Sequence, residues 1–405
     1  MEKTFTELGL QESLIGGLKK QGIESPTEIQ EKAIPLGLEN KDIIGESETG
    51  TGKTLAYLLP IFQKIDITSK DIQAIILAPT HELAMQIHKQ IELLSENSNS
   101  LIKSTSIIGN VNIKRQLESL KEKPHIIVGS AGRILELITM KKLKSHFVKT
   151  IVIDEGDRMI DENNIEGVKA IIKTTLRDRQ IMLFSATVSP KAVEIAKTLM
   201  KDAEVIKVGD KSVVNPNIEH MYFLVEKREK LILLRKLISA TNPEKAIIFI
   251  NKSDEVEITT SKLSYHGLKV EGIHGTSEKE NRKKAIEDFN AGKIQLLVAS
   301  DLAARGLDIQ GVTHIFNLDI PENSKDYLHR VGRTARMGKN GLALSIAEER
   351  ELDLIKTYEK DFNIEILQKD IYMGRIIDPK DAPKAKRAER IQNQISNANK
   401  FNKNK

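Results

Sequence analysis

Eight short runs of apolar, largely β-branched residues punctuate the chain in two groups of four, and they restrict its fold more than any other feature. The first group is AIILA (74–78), HIIVG (125–129), TIVID (150–154) and IMLFSAT (181–187). The second is KAIIFI (245–250), IQLLVAS (294–300), HIFNLD (314–319) and LALSIA (342–347). Each run has the length of a strand, and helix-patterned segments such as ELAMQIHKQIELL (82–94) lie between them. Strands that alternate with helices are joined by crossovers, which gives parallel sheets with helices on both faces. Between the groups, VGDKSVVNPNIEH (208–220) contains Gly209 and Pro216 and reads as a linker. The expected fold class is α/β, with two domains at 1–207 and 219–370, a linker at 208–218 and a basic, disordered tail at 371–405.

Composition narrows the class. The chain is 405 residues long, too long for one ordinary core, with 40% hydrophobic and 29% charged residues. No apolar run is long enough to cross a bilayer. The opening MEKTFTELGL is polar and has no apolar stretch of the signal-peptide kind. Cysteine is absent, which removes disulfides and zinc–thiolate sites. A cytoplasmic monomer with no membrane partner is the expectation. The net charge of +5 is uneven: residues 375–405 carry nine Lys/Arg against three acids, so this end is +6 and the remainder −1. A solvated basic tail or a nucleic-acid arm fits that imbalance.

Two segments carry chemistry. SETGTGKT (47–54) fits the phosphate-loop pattern except at its first position, where Ser47 replaces Gly. Gly50 and Gly52 would let backbone amides close on phosphate oxygens, Lys53 would reach the β and γ phosphates, and Thr54 would place its hydroxyl on Mg²⁺. The run IVIDEGDRMI (151–160) brings Asp154, Glu155 and Asp157 within four residues, a costly gathering unless something positive sits among them. A strand-terminal acid is the usual metal-holding partner of a phosphate loop, a place Asp154 fits. Glu155 would polarise the attacking water. ATP and Mg²⁺ are the expected ligands.

With these residues placed, the chain resembles the DEAD-box RNA helicases, two-domain RecA-like ATPases of superfamily 2. DEGD (154–157) is similar to their signature tetrapeptide, with Gly for Ala. GIESPTEIQ (22–30) with Phe5 resembles the Q motif, SETGTGKT motif I, PTHELA (79–84) motif Ia and SAGR (130–133) motif Ib. SAT (185–187), IIFIN (247–251), ASDLAARGLD (299–308) and HRVGRTAR (329–336) resemble motifs III to VI. They occur in order over roughly residues 5–340.

The resemblance implies two RecA-like domains, each a mostly parallel sheet flanked by helices, and a set of roles. Phe5, Gln30, Ser47, Thr49, Gly50, Thr51, Gly52, Lys53, Thr54 and Asp308 would bind ATP, Gln30 through adenine. Thr54 and Asp154 would hold the metal. Asp157 would bond to Ser185 and Thr187 and couple the metal site to the rest of the machine. Arg333 and Arg336 would act as arginine fingers on the γ-phosphate, with His329 helping to join the domains. Pro79, Thr80, Gly109, Gly132, Arg133, His274, Gly275, Arg282 and Ser300 would contact RNA, duplex or single-stranded. Such small and backbone-presenting residues grip phosphates and 2′-hydroxyls but read few base edges, so the binding would be sequence-independent and salt-sensitive.

Several motif positions depart from the family. His81 stands for Arg, Asn110 for Gly, Ser130 and Ala131 for Thr-Pro, Lys279 for Gln, and Ala335 for Gly. Ala335 is harmless if its segment is helical and costly if φ must be positive. Gly156 only removes a methyl, so Gly156→Ala is expected to leave ATP hydrolysis intact or better. The leading reading is an ATP-dependent RNA helicase. The alternative is an ATP-gated RNA clamp or chaperone with little unwinding, and a DNA-acting translocase stands behind both. No protein partner is indicated.

Overall fold

The computed structural model describes residues 3–47, 50–109, 112–161, 164–208, 214–274, 279–304, 309, 311–335 and 338–381. The candidate residues Thr49, Asn110, Gly275, Asp308 and Arg336 lie outside them, as do residues 382–405 and the side chain of Lys279. The chain forms two compact units, one built from the segment up to Val213 and the other from Val214 onward.

The first unit carries strands β1 (Asp42–Glu46), β2 (Ala74–Leu77), β3 (Ser104–Ile107), β4 (Ile126–Gly129), β5 (Thr150–Asp154), β6 (Gln180–Ser185) and β7 (Ala203–Lys207). They form one sheet in the order β3-β4-β2-β5-β6-β1-β7, and every pairing is parallel. Successive residues of a strand face opposite sides, and both sides are covered. Ile43, Ile76, Val152 and Met182 enter one apolar cluster, while Ile44, Ile75, Ile151 and Leu183 enter another. Burial on two faces explains why β2, β4, β5 and β6 read as nearly unbroken apolar runs rather than alternating ones.

The second unit repeats the scheme. Its strands are β8 (Ile218–Leu224), β9 (Ala246–Ile250), β10 (Val270–Ile273), β11 (Leu296–Ser300), β12 (His314–Asn317), β13 (Gly341–Ala347) and β14 (Leu367–Gln368). They run parallel in the order β10-β11-β9-β12-β13-β8-β14. The two sheets bear out the expected α/β class.

The expected tail at 371–405 needs correction. Its first residues belong to an antiparallel hairpin, β15 (Asp370–Tyr372) with β16 (Arg375–Ile377). Ile371 is buried in the core of the second unit and Ile376 packs against it. Met373 and Gly374 make the turn with φ of +47° and +75°. Two positive-φ residues between paired strands match the right-handed twist of a tight hairpin. No helix among the described residues is long and apolar enough to cross a membrane.

Candidate functional site

In a parallel sheet, loops that follow the strands gather at one rim, where ligands bind. The phosphate-loop residues follow β1. Ser47 continues the sheet, its N–H donating to the Ser185 carbonyl at 3.1 Å. The helix Lys53–Lys64 begins directly after Gly52, whose φ of +92° lies in the left-handed region that favours glycine. Gly52 also lacks room for a side chain: a Cβ there would stand 2.4 Å from Gln30 Nε2. That closeness is used, because Gln30 Nε2 donates to the Gly52 carbonyl at 3.1 Å. The other arm of the Gln30 amide accepts from Thr27 N–H at 3.0 Å, closing a capping box on the helix Glu28–Leu38. Gln30 therefore braces the phosphate loop, with one of its two amide hydrogens engaged. Lys53 Nζ donates to the Ser47 carbonyl at 2.5 Å, and Ser47 Oγ shares a hydrogen bond of 2.8 Å with Thr51 Oγ1. Phe5 is 2% exposed within the core, so no open ring face is presented there.

The carboxylates follow β5, two strands away from β1 with β6 between. Asp154 is buried, and burial raises its pKa, opposed by the bond from Tyr57 and the charge of Lys53. Tyr57 Oη donates to Asp154 Oδ2 at 2.8 Å, and Glu155 N–H donates to Oδ1 at 2.8 Å. Glu155 sits at φ +47°, ψ +53°, an uncommon conformation for a non-glycine residue and one that recurs where strain serves function. Its Oε2 is buried without a hydrogen-bond partner, 3.7 Å from Arg158 Nη1. Gly156 then opens a short helical turn. A Cβ on Gly156 would meet Leu183 Cδ2 at 2.4 Å and Cγ at 2.5 Å. The expectation that this glycine merely lacks a methyl is thus corrected, since Leu183 occupies the methyl's place.

Ser185 ends β6 and donates to Asp157 Oδ1 at 2.7 Å. Thr187 Oγ1 is buried with no hydrogen-bond partner, so only one of the two expected side-chain links to Asp157 is made. Ser185 nevertheless joins three motifs, since its carbonyl holds Ser47 and its hydroxyl holds Asp157.

The candidate RNA residues of this unit lie on the other half of the same rim. Pro79 and Thr80 follow β2, Gly109 follows β3, and Gly132 and Arg133 follow β4. Thr80 caps the helix His81–Asn97, its hydroxyl accepting from Leu83 N–H at 3.2 Å. Arg133 Nε lies 3.4 Å from Glu136. Gly109 and Gly132 have no heavy atom near a hypothetical Cβ, so their backbone is open to approach. In the second unit, His274 follows β10. Ser300 ends β11, buried, and its hydroxyl accepts from Ser253 at 3.2 Å. Arg282 donates to the Ala303 carbonyl at 2.6 Å.

His329 and Arg333 flank the end of the helix Ser324–Val331, where cations suit the helix dipole. Between them Arg330, missed by the sequence reading, is 1% exposed and organises the unit. Its Nε and Nη2 grip Asp301 at 2.7 and 2.6 Å. It also donates to the Asp319 carbonyl at 2.6 Å and to Asn251 Oδ1 at 2.7 Å. Its guanidinium lies 5.1 Å from the centre of the Phe249 ring. One arginine thereby ties three motifs together. Ala335, beyond it, has φ of +54°, the costly alternative for a residue in place of Gly.

Tandem parallel sheets, the first ending in a glycine-rich phosphate loop beside a strand-terminal aspartate, define a RecA-like P-loop protein. Residues 27–195 match the DEAD/DEAH box helicase model and 229–338 the helicase conserved C-terminal domain. The chain is 40% identical to the DEAD-box ATP-dependent RNA helicase CshA of Bacillus cereus (strain ATCC 10987), over 98% of this chain and 75% of the relative. It is also 40% identical to CshC of B. cereus (strain ATCC 14579), over 91% of this chain and 94% of the relative. Among solved structures, S. cerevisiae Dbp5 bound to RNA and ADP BeF3 superposes with a TM-score of 0.83 at 29% identity, covering 90% of this chain and 95% of that one. Mss116p bound to single-stranded RNA and AMP-PNP gives 0.84 at 25% identity, covering 92% and 80%. The chain belongs to the DEAD-box helicase family.

Proposed function

We propose that the protein is an RNA-stimulated ATPase that uses hydrolysis to separate short RNA duplexes or remodel RNA–protein complexes. One observation supports this above others: Ser185 links the phosphate loop at Ser47 to Asp157 of the DEGD turn. Lys53 would bind the β and γ phosphates and Glu155 would orient the attacking water. Arg333 and Arg336 would supply positive charge as the phosphoryl group transfers. Among the described residues no three His, Asp or Glu side chains converge as a metal site. A cation would therefore rest on Thr54, Asp154 and the nucleotide's phosphates, as Mg²⁺ commonly does. A buried Asp154 carboxylate with a raised pKa and a buried Glu155 Oε2 that accepts no hydrogen bond fit such a cation–nucleotide ligand. Mg²⁺ would supply charge neutralisation at the phosphates.

ATP hydrolysis measured with and without RNA tests this. Stimulation in wild type and its loss in Lys53→Ala are expected; a wild type indifferent to RNA refutes the proposal. The clamp reading draws support from Arg133, Arg282 and Ser300, which already hold partners inside their own unit. Strand displacement on a short RNA duplex separates the two readings. The basic end is proposed to add sequence-independent RNA affinity, and a truncation that tests it should begin after Asp381, clear of the hairpin.

A further inference from the structure

Tyr57 lies one turn into the helix that starts at Lys53, in the apolar stretch LAYLLP. Its spacing reads as core, and its ring does pack there, 0% exposed and 5.5 Å from the Phe184 ring centre. A phenylalanine would fill that space equally well, so packing does not explain the hydroxyl. The hydroxyl is spent on Asp154 Oδ2, 97 residues away, at 2.8 Å, and Thr54 borders it. It therefore stands beside both residues proposed to hold the metal. With Glu155 N–H on Oδ1, the carboxylate is held from two sides and cannot turn about its χ2 bond without losing a charge-assisted hydrogen bond.

Resting on the ATPase reading above, we infer that Tyr57 is a positioning residue for the metal-binding carboxylate. Its hydroxyl fixes the rotation of Asp154 and satisfies one of its buried oxygens before the metal–nucleotide complex arrives. The tyrosine sits on the phosphate-loop helix itself, so the carboxylate is aligned by the same element that presents Lys53 and Thr54. Residues around a metal ligand commonly tune affinity in this way.

The test is equilibrium binding of a fluorescent ADP analogue to the full chain, in Mg²⁺ and in EDTA. Tyr57→Phe should weaken binding in Mg²⁺ roughly tenfold, as expected for a lost hydrogen bond to a charged group, and leave binding in EDTA unchanged. In an Asp154→Asn background the same substitution should cause no further loss. Tyr57→Leu, which also removes the ring, should show the same ratio of Mg²⁺ to EDTA affinities as Tyr57→Phe. An equal loss in both buffers, no loss, or a loss that persists beside Asp154→Asn overturns the inference. Wild type that binds the nucleotide with Mg²⁺ dependence, alongside an unaffected Tyr57→Phe, sinks only this assignment. Wild type that binds no nucleotide sinks the ATPase reading with it.

Discussion

Gly156 and Leu183 are fitted to each other so closely that a methyl on the first would overlap the branch point of the second, 2.5 Å away. Cγ cannot swing aside as a side-chain tip can, so Gly156→Ala must displace Leu183 or the DEGD turn. Overpacking of this kind costs about 1–3 kcal/mol. The variant should melt earlier and hydrolyse ATP more slowly, because Glu155 and Asp157 flank the displaced residue. Leu183→Ala opens the space, so Gly156→Ala/Leu183→Ala should regain ATPase over Gly156→Ala alone. A double variant no faster than the single one would show that the turn needs glycine for its backbone.

Ala335 is held at φ +54° by a buried site, and its carbonyl accepts from Asn215 Nδ2 at 2.7 Å. A left-handed alanine is strained by about 1–2 kcal/mol relative to glycine. Part of the relief is offset by the greater freedom of glycine in the unfolded chain. Ala335→Gly should stabilise the second unit by roughly 0.5–1 kcal/mol. Hydrogen exchange of the helix Ser324–Val331 reads this, and faster exchange in the variant would contradict it.

Arg330 cannot be replaced by another cation. Lysine offers one point of charge where Arg330 grips both oxygens of Asp301 and two further acceptors. Breaking a buried pair on one side costs about 3–5 kcal/mol. Both Arg330→Lys and Arg330→Ala should lower the melting temperature of the second unit, with the first unit's transition unchanged. Near-wild-type melting of Arg330→Lys would show that the fork geometry is unimportant.

Two histidines are expected to make the second unit lose stability in acid. Burial pushes His220 and His314 down to about 4, against about 6.5 in an unfolded chain. Between these values the unfolded state binds more protons, so stability falls as pH drops from about 6.5 toward 4. His220 shares a 2.7 Å hydrogen bond with Tyr327, and His314 one of 2.8 Å with Thr313. Denaturant unfolding across this window should lose much of its pH slope in His314→Asn, and more when His220→Phe is added. An unchanged slope in both would assign the acid sensitivity elsewhere.

All eight apolar runs are strands because both faces of each sheet are covered, which leaves the signal unbroken. Several strands that escaped reading have a diluted pattern. DIIGE carries a glycine and two acids, STSI alternates with hydroxyls, and VEGI carries an acid and a glycine. The hairpin at 370–377 escaped because three-residue strands leave too little periodicity, although the Met-Gly turn marks it. Lys53, Asp154 and Glu155 were legible because phosphate chemistry fixes their local spacing. The hydroxyl of Tyr57 and the grip of Arg330 were not, because their partners lie far along the chain and only folding brings them together. The fit of Gly156 to Leu183 is equally invisible in sequence, since it depends on how a β6 side chain meets the turn that follows β5.

The proposed phosphate, metal and coupling residues of the first unit lie at or after the ends of β1, β5 and β6, and the proposed RNA residues of the same unit follow β2, β3 and β4. The border between the groups falls between β2 and β5, paired in register from Ala74 with Thr150 to Leu77 with Ile153. That is one strand spacing, about 4.8 Å. The two proposed ligands would therefore sit over adjoining strands of one sheet. Order of arrival would leave no trace: nucleotide first or RNA first, the energy of a doubly loaded unit is the same, and whatever factor one proposed ligand applies to the other's affinity is returned in equal measure.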